Sequence, residues 1–161
     1  MKDLACIRCA GLAGRALQRG SPLLQPSRLP LTSLAGYELL RATIQGLRLH
    51  APAAYPTVVR SGARLPPDTD AYCSRTKSRF VIMLGRHLGP KAATEALVHE
   101  WAHARAWNHR HDRAVADAIA GSIDSGAFEE LVHDGTWGVE FAACWRVFTG
   151  IVLPEFSRQQ G

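Results

Sequence analysis

Residues 89–107 read GPKAATEALVHEWAHARAW. Pro90 suits the first turn of a helix, and no proline or glycine interrupts the following seventeen residues. The stretch therefore predicts a helix from Lys91 to about Trp107. Its other faces are apolar, with Ala93, Ala96, Leu97, Trp101 and Ala104. On a helix, residues four apart stand one turn above each other, so His99 and His103 can direct two imidazoles at one ion. Glu100 is turned about 100° away. That makes it a poor ligand but lets it reach a water beside the ion. This His-Glu-x-x-His spacing suits one bound Zn2+, with Glu100 as the general base of peptide hydrolysis. Two histidines and a glutamate on an otherwise apolar helix are hard to explain as core filler, because buried charge needs a partner.

The flanking sequence supplies a sheet and further helices. Ala71 to Ser74 and Arg79 to Leu84 read as the strands of a hairpin, with Arg75 to Ser78 turning between them. Tyr55 to Arg60 is a short β-branched run and reads as a third strand, and Pro66-Pro67-Asp68 marks a loop. Upstream, Leu39, Leu40, Thr43, Ile44 and Leu47 recur at helical spacing, predicting a helix over about Leu34 to Leu49. Downstream, the charged stretch Asn108 to Arg113 leads into a helix over Ala114 to Ile119, and Gly121 to Gly126 reads as a loop. A last helix is expected over Thr136 to Phe148, with Trp137, Phe141, Cys144, Trp145 and Phe148 on one face. The fold class is α+β: a small three-stranded sheet packed on the metal helix, with additional helices. Residues 1–36 are punctuated by Gly20, Pro22, Pro26 and Pro30 and read as a poorly structured segment with at most a short helix near Cys9 to Leu17. Residues 37–161 form the domain.

Spacing leaves the third ligand open between two residues. His133 lies just before the last helix, from where its ring can lean across the helix start. Glu140 lies one turn into that helix, beside Cys144. The segment Ala96-Leu97-Val98-His99-Glu100-Trp101-Ala102-His103, followed by His133-Asp134-Gly135-Thr136-Trp137-Gly138, resembles the SprT-like (Spartan-type) zinc metallopeptidases. It looks most like the short versions found in actinobacteria and their phages. That family carries a third histidine in a His-Gly-x-x-aromatic turn; His133 and Trp137 match the histidine and the aromatic, and Asp134 replaces the glycine. The resemblance covers roughly residues 79–149 and lacks the family's frequent C-terminal zinc ribbon. It implies a zincin-like domain, His133 as third zinc ligand, and protein substrates associated with DNA.

The net charge of +5 comes almost wholly from arginine, with lysine only at Lys2, Lys77 and Lys91. It is compatible with DNA association, but the arginines are scattered and form no stripe. No apolar run reaches the length of a membrane span, the N-terminus lacks a signal peptide's apolar region, and four cysteines make no secreted framework, so a cytoplasmic location is expected. Cys6-x-x-Cys9 is half of a zinc ribbon without its second half, and reads as two incidental thiols. His109 and His111 read as solvated loop histidines that can contact substrate; His50 and His87 carry no signal. Trp101 and Trp107 are expected as core anchors, and Trp137 and Trp145 in the core as well, with a place under the metal site as the alternative for Trp137. Glu95, one turn before His99, is either a solvated charge or an orienting partner of that ring. Asp134 can either cap the last helix or hydrogen-bond a ligand imidazole. Two other functions fit the same residues: a regulatory gluzincin with Glu140 as third ligand, cleaving one partner protein, and a non-catalytic zinc-binding interaction protein.

Overall fold

The computed structural model describes residues 4–5, 34–63, 65 and 69–160. The expected loop at Pro66-Pro67-Asp68, the Cys6-x-x-Cys9 pair and all of the N-terminal segment up to residue 33 except Leu4 and Ala5 lie outside them. In chain order the elements are strand β1 (Leu4–Ala5), helix α1 (Leu34–His50), strands β2 (Thr57–Ala63), β3 (Ala71–Arg75) and β4 (Phe80–Gly85), and helices α2 (Pro90–Ala106), α3 (His109–Ile119), α4 (Ser125–Val132) and α5 (Gly135–Val147). A π-helical turn (Phe148–Val152) and helix α6 (Leu153–Gln160) follow.

Three strands of five to seven residues make a small mixed sheet. β3 and β4 form the expected antiparallel hairpin, with Cys73 opposite Ile82. The Thr76 N–H donates to the carbonyl of Arg79 at 2.9 Å and closes the turn. β2 runs parallel to β4 on its other side, with Thr57 opposite Phe80. Leu4–Ala5 adds a two-residue antiparallel pairing to β3 at Arg75 and Ser74, so the order is β1-β3-β4-β2. β4 is thus interior and both its edges are paired. An extended substrate therefore cannot add to β4 by edge pairing, because its backbone groups are already used on both sides.

The alternation along the strands sets the core. Phe80, Ile82 and Leu84 bury one face of β4, and Ala71 and Cys73 the same face of β3. Against them pack Leu97, Val98 and Trp101 of α2. The opposite side of α2 meets α1 and α5. The metal helix is therefore covered nearly all round, and even its polar residues Thr94, Glu100 and His103 are buried. The indole of Trp101 donates to the carbonyl of Ala51 at 2.8 Å, tying α2 to the end of α1.

Beyond α2 the chain is more helical than expected. Asn108 is an N-cap whose side chain accepts the backbone N–H groups of Arg110 and His111, so α3 begins inside the stretch read as a charged loop. Asp124 caps a helix, α4, where the Gly121 to Gly126 loop was expected to continue; only Gly121, with φ +71°, needs glycine's left-handed freedom. The last helix does not stop at Phe148 but widens into the π turn and continues as α6. That turn presses on α1: a Cβ on Gly46 would lie 2.4 Å from Cγ2 of Val152. Among the described residues no helix is long and apolar enough to cross a membrane.

Candidate metal centre

His99 and His103 project from one face of α2, as their spacing requires. His133 comes from the turn between α4 and α5. It closes α4, its backbone N–H donating to the carbonyl of Glu129, and the next residue, Asp134, opens α5 by accepting the N–H groups of Thr136 and Trp137. The turn is thus fixed on both sides, and α5 packs along α2. The three imidazoles meet at their Nε2 atoms: His103 to His133 is 3.1 Å, His133 to His99 3.2 Å, and His103 to His99 3.3 Å. Trp137 packs against all three rings, with centroids 4.4 to 5.5 Å away, and Phe141 stacks behind it.

The chemistry of this donor set fits a metal ion. Nitrogen ligands about 2.0–2.1 Å from a tetrahedral zinc lie about 3.3–3.4 Å from each other, close to the separations here. The ring orientation of His133 fits as well. Its Nδ1 lies 3.0 Å from both the backbone carbonyl and a carboxylate oxygen of Glu129, two acceptors that place the ring proton on Nδ1. Its Nε2 then presents a lone pair to the cluster. Burial, and then the neighbouring histidine His133, lowers the pKa of His99 to about 4. Burial, then His99, His133 and His111, lowers that of His103. His99 and His103 are held neutral, which is the form that binds metal.

Glu100, the residue after His99 on α2, is buried. Its carboxylate takes a hydrogen bond from the backbone of Cys73 in β3, while its Oε2 makes none. Burial pushes its pKa up to about 8; the Cys73 bond opposes that shift and the charge of Glu129 adds to it. A carboxyl at this position holds its proton unless a positive charge comes near.

Glu140, the other residue considered as third ligand, is not in the cluster. Its carboxylate accepts Nε of Arg105, whose Nη1 donates to the carbonyl of Pro52, so the pair links α2, α5 and the loop after α1. Glu95 faces Lys91, 3.9 Å away, and His109 is exposed. Two residues that sequence reasoning did not single out for the site lie against it. One is Glu129, the partner of His133; its i,i+4 spacing to His133 was the available signal, hidden because α4 was not expected. The other is His111, expected in solvent and found only 1% exposed.

Comparison with family models, curated proteins and solved structures returns no match to this chain.

Proposed function

We propose that the chain is a zinc-dependent peptidase, an SprT-like metallopeptidase reduced to a metal helix, a small sheet and closing helices. The observation that carries this reading is the convergence of the His99, His103 and His133 Nε2 atoms within 3.3 Å, with Glu100, the residue after His99 on α2, buried in the same helix. His99, His103 and His133 would hold one Zn2+. Bound there, zinc would supply a Lewis acid that polarises a peptide carbonyl and acidifies a water. Glu100 would accept that water's proton and pass it to the leaving amide nitrogen. Glu129 fixes the tautomer and tilt of His133, and Trp137 shields the three rings from solvent. The likeness to SprT-like peptidases is supported by His133 standing at the start of a helix with Trp137 one turn in, packed on the ligand rings.

The test is Glu100→Gln. The amide is nearly isosteric but cannot take the proton, so the variant should fold and bind zinc as the wild type does. It should cleave denatured casein at least about 100-fold more slowly, the lower end of what a general base contributes. Equal cleavage by wild type and variant would remove Glu100 from the mechanism; no cleavage by a zinc-loaded wild type would count against the peptidase.

A further inference from the structure

His111 lies in the first turn of α3, in a small core of Ala114, Val115, Phe128 and Val132. An apolar side chain would suit that core, yet an imidazole occupies it and is 1% exposed. Neither ring nitrogen of His111 makes a close hydrogen bond, and the backbone of Val132 engages the ring only weakly. Its surroundings show what the ring touches. On one side its centroid is 6.4 Å from that of His103, with the rings edge to face, and 5.7 Å from that of Trp107. It also reaches the backbone of Val132, with the carboxylates of Asp134 and Asp112 and the ring of His133 nearby. His111 therefore spans the gap between one residue of the cluster and the turn, residues 132–134, that carries another.

His133 is the only member of the cluster not on α2. Its position depends on that turn, which α4 and α5 hold from its two ends. α5, which follows the turn, packs along α2, and His111 reaches the same turn from α3. We infer that His111 is a positioning residue for the metal centre: its ring braces the Val132–Asp134 turn against His103 and α3 and so keeps His133 at ligand distance. This inference rests on the reading of the three histidines as ligands, and is independent of whether the centre hydrolyses peptides.

The test uses the full chain, stripped with a chelator and titrated with Zn2+, and with Co2+ as a visible probe of ligand geometry. His111→Phe fills the cavity and keeps no polar contact to Val132. It should bind both ions at least about tenfold more weakly, in the range expected when a group orienting a ligand is removed, and its Co2+ absorption bands should shift. His111→Gln retains an amide donor for the Val132 carbonyl and should recover most of the affinity and the wild-type bands; His111→Leu, of similar size, should not. Wild-type affinity and spectrum in His111→Phe would overturn the inference. If His111→Phe does not fold, the Gln and Leu pair decides, and equal affinity in the two overturns it. A folded wild type that takes up neither ion would remove the ligand reading itself, and this inference with it.

Discussion

Glu129 shows how much a single side chain outside the motif can matter. His99 and His103 are oriented by α2, but His133 sits on a turn, and its ring angle is fixed largely through Nδ1. Glu129 offers both its carbonyl and its carboxylate to that nitrogen, each at 3.0 Å. A carboxylate so placed makes the opposite nitrogen more basic and locks the tautomer. Glu129→Ala removes the carboxylate and leaves the helix carbonyl. Zinc affinity measured by chelator competition should fall about 10- to 100-fold, while helix content by circular dichroism stays close to that of the wild type because alanine is a strong helix former. Unchanged affinity would mean that the backbone carbonyl alone orients the ring. Glu140→Ala is the contrast: it breaks a half-buried pair with Arg105 away from the cluster, and should lower stability with little change in zinc affinity.

At the scale of elements, what was legible follows from how local each signal was. The metal helix was legible because Pro90, the apolar faces and the i,i+4 histidines all lie within one short segment. The β3–β4 hairpin was legible from alternation and a polar turn, and α1 from its leucine spacing. Strand order was not legible: nothing in Phe80-Val81-Ile82-Met83 distinguishes an interior strand from an edge, and the parallel pairing with Thr57–Ala63 is a long-range event. Helices α3 and α4 were blurred because their starts carry residues that also favour loops. Asn108 and Asp124 act as caps, but Asn-His-Arg-His-Asp and Ser-Gly read as solvated chain when only composition is weighed. The same blurring hid His111 and Glu129. At the site, His99, Glu100 and His103 follow from the spacing itself. The position of His133 beside them required the tertiary packing of α5 on α2, which in the sequence was signalled only by the turn and aromatic pattern around Trp137.

For the whole molecule, the buried ionisable groups set opposing pH dependences in the metal-stripped protein. Glu100 holds its proton to about pH 8 when folded, against 4.5 for an ordinary glutamate. Between those values unfolding releases a proton, so its contribution to stability is full below 4.5 and is lost as pH rises to 8. The histidines act in the other sense. His99 titrates at about 4 when folded, against 6.5 ordinarily, and His103 and His111 are also lowered. Their contribution is present above 6.5 and lost as pH falls toward 4. Three histidines outweigh one glutamate on the acid side; on the alkaline side Glu100 dominates up to pH 8, and the buried Cys144 thiol, raised from 9.0 to about 12, adds its own fall only above pH 9. Thermal unfolding of the stripped protein should therefore peak near pH 6.5 and fall toward pH 8, with Glu100→Gln abolishing the alkaline fall but not the acid one. A wild-type alkaline limb that survives in Glu100→Gln would assign it to another group. The central claim is that one ion joins α2 to the α4–α5 turn through three histidines. Its most direct measurement is zinc bound per chain, after reconstitution and dialysis, in the wild type and in His133→Ala. The account predicts close to one equivalent in the wild type and loss of most of it in His133→Ala. A folded wild type without zinc, or a His133→Ala variant that keeps the full equivalent at wild-type affinity, would contradict it.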